Sequence, residues 1–245
     1  MTSTTALPDD IGRRFITGAR EILGSAADAL GDLDRRAGDG DFGTNVRTAM
    51  RNLDRTLEAE EPATYRAWVT AMSMAWLGVG GTSGPLLGMF FRDLAKAGAD
   101  DGESSETVPT LEQVAEALAA GQAVVQKYGE AEVGDKTMID SLAPAIDALR
   151  GALPAGNGAA AGKDAAAGKD AAAGKDAAAT LADAEQAAVE AARATAETVA
   201  RRGRASYVGD VAKGVIDPGA AAMALVLGAL RAAVDGEAVD TAWIE

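Results

Sequence analysis

Apolar residues recur at three- and four-residue spacing in nearly every segment of this chain, and no run of β-branched residues alternates with polar ones. That period belongs to helices, so the sequence predicts an all-α fold. Only 4% of the residues are aromatic while alanine and glycine are abundant, which suits close-packed helices better than a strand-rich sandwich. A first helix is predicted over 9–30, with Ile11, Phe15, Ile16, Ala19, Ile22 and Leu23 on one face. Further helices are expected near 43–59, 63–77, 84–97, 110–128, 136–150, 180–202 and 218–234, which makes eight. Most of the connections are short, so neighbours should pack antiparallel.

The 245 residues suffice for one domain, 1–245, with a substantial core. A formal charge of −14 argues against a general electrostatic grip on nucleic acid or on an anionic membrane. The absence of cysteine excludes disulfides and thiolate metal sites. The first thirty residues lack a basic region followed by an apolar run, and no stretch reaches the ~18 uncharged apolar residues of a membrane span, so a cytoplasmic location is expected. One segment breaks the helical period. Between 155 and 179, "AAAGKD" occurs three times in succession, and its recurrent glycines weaken any helix, so a low-complexity loop insertion is predicted. Its "GK" pairs are followed by aspartate rather than serine or threonine, which argues against a phosphate loop.

Chemistry concentrates elsewhere. In "RAGDGDFGTNV", residues 36–46, Gly38 and Gly40 allow a turn sharp enough to bring Asp39 and Asp41 toward Asp34. Hard oxygen donors suit magnesium or calcium, and the EF-hand pattern fails because Met50 falls where the bidentate glutamate belongs. Magnesium favours a few carboxylates plus the phosphates of a ligand. The following Thr44 and Asn45 open a helix, whose N-terminus offers N–H groups to an anion. An aspartate-rich interhelical turn with a helix cap fits the same residues, and both readings stand at this point.

"GVGGTSGPLLGMFF", residues 78–91, is not a dinucleotide fingerprint, since Ser83 occupies the third glycine position and helix precedes it. It supplies a small-residue turn through Thr82 and Ser83 into a helix with Pro85 at its first position, suited to a phosphate or simply to starting a helix. In "YGEAEVGDKTMID", Asp135 or Thr137 reads as a cap and Met138 as core; Asp217-Pro218 reads as an N-cap followed by an N1 proline. Arg204, flanked by small residues, suits phosphate recognition, with a surface ion pair as the alternative.

These clusters together, "LDRRAGDGDFGTN", "GGTSGPLLGMFF", "GDKTMIDSLAPA" and "GRASYVGD" followed by "IDPGA", resemble the nucleotide-binding L subunit of dihydroxyacetone kinase. The resemblance implies an eight-helix antiparallel barrel with ADP or ATP bound at one end. It implies that Asp34, Asp39 and Asp41 ligate two magnesium ions and serve catalysis. Phosphate contacts map onto Phe42, Gly43, Thr44, Asn45, Thr82 and Ser83, and the rest of the nucleotide site onto Gly129, Met138, Arg204, Asp217, Pro218 and Gly219.

The chemistry so implied is phosphoryl transfer, which rests on positioning and charge neutralisation and asks for no histidine. In the family a histidine on a separate K subunit holds the triose. This chain has none, so the resemblance implies half of an enzyme, recharged by a phosphorylated M subunit or, in the other branch, by exchanging ATP. The absence of a K part favours the first branch, and a homodimer is compatible with either. Relatives acting on erythrulose or fatty acids, and a non-catalytic regulatory module, are the alternatives. One departure is Phe42, where the family commonly has histidine.

Overall fold

The computed structural model describes residues 7–98, 108–153, 176–202, 206 and 212–244. Among them are eight α-helices and no strand: α1 (Ile11–Ala37), α2 (Phe42–Ala59), α3 (Tyr65–Leu77), α4 (Ser83–Leu94), α5 (Leu111–Gly129), α6 (Ile139–Ala152), α7 (Ala177–Ala194) and α8 (Pro218–Asp235). Each helix packs on the next along the chain, and α8 packs back on α1 as well as on α6 and α7.

Several boundaries differ from the sequence expectation for physical reasons. Helix α1 runs on to Ala37 instead of stopping before Gly31, because this glycine serves close packing rather than chain breaking: a Cβ on the facing Gly43 would lie 2.8 Å from the Gly31 Cα and 2.4 Å from the Ala27 carbonyl. Backbone contact at this crossing holds the start of α2 against α1. Helix α7 begins at Ala177, since Asp176 of the last repeat accepts a hydrogen bond from the Ala179 N–H at 2.7 Å; residues 155–175 of the expected insertion lie outside the described residues. The same helix ends at Ala194 rather than 202. There the Thr195 hydroxyl donates to the Ala192 carbonyl and accepts from the Asp217 N–H at 2.8 Å, and a 3-10 turn over Thr195–Glu197 leads the chain out of the helix. Helix α4 starts at Ser83, which puts Pro85 third rather than first.

Helix α8 lies inside the fold. Fourteen of its eighteen residues are buried, so it is apolar on every side rather than striped. Length and composition alone would let it cross a membrane, but its surroundings here are the other helices. Its buried Arg231 is fully engaged, with Glu185 at 2.7 Å, Asp235 at 3.0 Å and the carbonyls of Glu237 and Ala238. That cluster folds the tail after Gly236 back over α8.

Candidate functional site

Helices that alternate in direction along the chain send every second N-terminus to the same end. The consequence is visible in a cavity of about 220 Å³. Its lining comes from the starts of α2 (Asp41, Phe42, Asn45), α4 (Thr82, Ser83, Leu86), α6 (Thr137, Met138) and α8 (Asp217, Pro218, Gly219). The ends of α1 and α5 contribute Asp34, Ala37, Val125 and Gly129. Four helix N-termini, each carrying partial positive charge, therefore face one small volume. At three of them, those of α2, α4 and α6, no N-cap side chain bonds back to its own helix.

An acidic corner sits against this positive field. Asp34 occupies the last turn of α1, buried, and its Oδ2 accepts from the Phe42 N–H at 2.8 Å. Gly38 caps α1 through its N–H to the Asp34 carbonyl at 2.6 Å, and Gly40, at φ 81°, turns the chain so that Asp39 and Asp41 come to the same cavity. Burial pushes the Asp34 carboxyl above the usual carboxylate range; the Phe42 N–H opposes this, while the charges of Asp39 and Asp41 add to it. Crowded carboxylates of this kind gain from a hard cation. Among the described residues no three His, Cys, Asp or Glu side chains already converge on one cation position. The donor chemistry fits magnesium completed by ligand phosphates better than a full protein cage.

The opposite wall is built by the α5–α6 loop and the segment of chain leading into α8. Asp140 organises the loop, its Oδ1 accepting from the Gly134 N–H at 2.6 Å and its Oδ2 from the Thr137 N–H at 2.7 Å. Lys136, a non-glycine residue at φ 63°, is buried and lines the cavity. Asp217 caps α8 by accepting from the Ala220 N–H at 2.7 Å. Burial raises its carboxyl to about 7; the Ala220 N–H and Lys136 oppose the rise, and Asp140 and Asp34 add to it. Across the floor, the Asn45 amide donates to the Ser83 hydroxyl at 3.2 Å, tying α2 to α4.

Twelve of the residues singled out from the sequence thus share one cavity: Asp34, Asp39, Asp41, Phe42, Asn45, Thr82, Ser83, Gly129, Met138, Asp217, Pro218 and Gly219. Gly43 and Thr44 do not line it. A helix turns about 100° per residue, so with Phe42 and Asn45 facing the cavity, Gly43 meets α1 and Thr44 lines a separate cleft with Arg20, Arg47 and Arg51. Arg204 lies outside the described residues. Three cavity-facing or cavity-supporting residues, Lys136, Asp140 and Arg202, were not singled out. Arg202 lies at the cavity with its guanidinium 3.3 Å from Glu130.

The DAK2 domain model matches residues 36–173 and 159–232, which include the turns on both walls of the cavity. This chain belongs to the DAK2 domain family. Among its DAK2 relatives, the ADP-binding subunit DhaL of PEP-dependent dihydroxyacetone kinase 1 from Listeria innocua is 30% identical over 223 residues, 90% of this chain and 94% of that protein. L-erythrulose 1-kinase of Mycolicibacterium smegmatis is 34% identical over 205 residues, 82% of this chain but 31% of that longer protein. In three dimensions the DAK2 fold here resembles the dihydroxyacetone kinase from C. freundii solved with AMP-PNP and Mg2+, with a TM-score of 0.63 and 25% identity, covering 95% of this chain and 35% of that one.

Proposed function

We propose that this chain is the ADP- or ATP-binding, magnesium-dependent phosphotransfer subunit of a dihydroxyacetone kinase, working with a separate K subunit that holds the triose and a phosphorylated M subunit that recharges the nucleotide. The observation that carries this reading is the meeting of four helix N-termini and three aspartates around one cavity. Helix N-termini attract phosphates, and aspartates attract the cations that accompany phosphates; their coexistence suits a metal–nucleotide ligand better than either a bare anion or a bare cation. The DhaL relatives support the assignment across nearly their whole length.

In this reading Asp34, Asp39 and Asp41 hold two magnesium ions, which neutralise the charge of the transferring phosphoryl group. The starts of α2 and α4, with Phe42, Asn45, Thr82 and Ser83, orient the phosphates by backbone N–H, amide and hydroxyl groups. Leu86, Val125 and Met138 supply apolar surface for the base, beside Gly129 and the Asp217-Pro218-Gly219 turn. The acceptor sugar belongs to the K subunit in this reading, in keeping with the lack of histidine in this chain. A second reading, an ATP-dependent kinase part for a related ketose such as erythrulose, draws on the 34% identity to L-erythrulose 1-kinase.

The decisive experiment is to purify the protein without added nucleotide, denature it, and measure released ADP and ATP by chromatography. Near-stoichiometric ADP supports the carrier reading. An empty protein that binds Mg2+-ATP reversibly supports the ATP-dependent one, and no binding of either nucleotide overturns both.

A further inference from the structure

Lys136 is 1% exposed, and its ammonium donates to three carbonyls distant in sequence: Ala212 at 2.7 Å, Val215 at 2.8 Å and Thr198 at 3.3 Å. An ammonium has three protons, so every one is committed and none is left to contact a ligand. The residue nevertheless lines the cavity. It stands in the left-handed backbone region that non-glycine residues seldom adopt, in a loop fixed on either side by the Asp140 carboxylate. A second tie joins the same two pieces of chain, from the Arg201 N–H to the Asp135 carbonyl at 3.0 Å. The tied chain is the one that carries Arg202 and Asp217 to the cavity wall. Burial lowers the ammonium's pKa, while Asp217 and Glu197 favour its charged form.

We propose that Lys136 is a positioning residue of the nucleotide site, its ammonium clamping the segments on either side of the α7–α8 connection to the α5–α6 loop so that Arg202 and Asp217 face the ligand. This rests on the nucleotide reading of the cavity. It assigns the lysine a role through the backbone rather than contact with phosphate, against the ordinary expectation for a lysine in such a site.

The test compares Lys136→Met with Lys136→Arg. Calorimetric titration of Mg2+-ADP should show affinity lowered about tenfold or more in the methionine variant, the scale of a lost charged hydrogen-bond set, and largely restored in the arginine variant. Hydrogen exchange should quicken in peptides covering 195–202 and 212–217, while the turnover number at saturating nucleotide stays close to wild type. Wild-type affinity and exchange in the methionine variant would overturn the proposal, as would a fall in turnover number at unchanged affinity. If the methionine variant does not fold, reductive methylation of the wild-type protein read by mass spectrometry decides. Lys136 should stay unmodified with and without Mg2+-ADP; modification that the nucleotide suppresses would make it a direct ligand and sink the clamp. A wild-type protein that fails to bind Mg2+-ADP would remove the nucleotide reading, while exchange and methylation would still judge the clamp itself.

Discussion

The two ends of the helical array treat their helix N-termini differently. At the end away from the cavity, Thr64 caps α3, Thr110 and Gln113 form a reciprocal capping box on α5, and Asp176 caps α7, each with its own side chain, while Asp10 makes no such bond at the start of α1. At the cavity end, the N-cap residues of α2, α4 and α6 make no such bond, although the Thr137 hydroxyl accepts from the first N–H of α6 at 3.2 Å, and Asp217 caps α8. Both sets of termini have the same unsatisfied N–H groups. The difference is one of degree: an N-cap side chain closes three of the four termini at the far end but one of four at the cavity, where Asp34 takes the Phe42 N–H, Thr137 takes the Ile139 N–H, and the remaining N–H groups of α2, α4 and α6 lie beside a shared volume.

That contrast can be broken by mutating each end. Replacing Asp39 and Asp41 together with alanine should lower phosphotransfer in a system reconstituted with K and M subunits by about a thousandfold or more, with little change in thermal melting, because both groups sit in the cavity rather than in the core. Equal losses of activity and stability would mean that the acidic corner holds the fold. A pH titration of stability sharpens the picture at the one capped cavity helix. Asp217 has a folded pKa of about 7, above its ordinary 3.8, so its protonated form is the one the fold favours. Its contribution is complete below the ordinary value and is lost as pH rises through the folded one, with a slope of at most about 1.4 kcal/mol per pH unit. Denaturant melts of Asp217→Asn, which keeps a capping side chain, should lack that slope.

Removing both hydroxyls with Thr82→Ala and Ser83→Ala should weaken Mg2+-ADP binding roughly tenfold and leave unfolding free energy nearly unchanged. Thr110→Ala at the other end should do the reverse, costing about 1 kcal/mol of stability in urea while nucleotide affinity stays put. If the two pairs of effects do not separate, the division of labour between the ends fails.

Much of this was legible in the chain itself. All eight helices follow from apolar spacing, and the motifs that gather at the cavity are local: the aspartates and glycines of 38–41, the Thr82-Ser83 turn and the Asp217-Pro218 start of α8 need only their neighbours to be recognised. Two kinds of feature were not legible. Gly31 looks like a helix end because nothing nearby in sequence reveals that Gly43 will press against it. Lys136 looks like one more loop lysine, since its meaning lies in carbonyls 62 to 79 residues further on, and carbonyls carry no sequence signature. Thr44 fell to the other side of α2 because it is the helical phase, fixed only once α2 starts at Phe42, that decides which of 42–45 face inward.

Helix α8 is where these themes acquire a thermodynamic meaning. Its first residues wall the cavity and the remainder forms the inner core, so a ligand gripping that turn grips the element on which α1, α6 and α7 rest. Occupancy and global unfolding are then linked: a nucleotide at about a hundred times its dissociation constant adds about 2.7 kcal/mol to the whole domain. The protein's melting temperature becomes a gauge of what it carries.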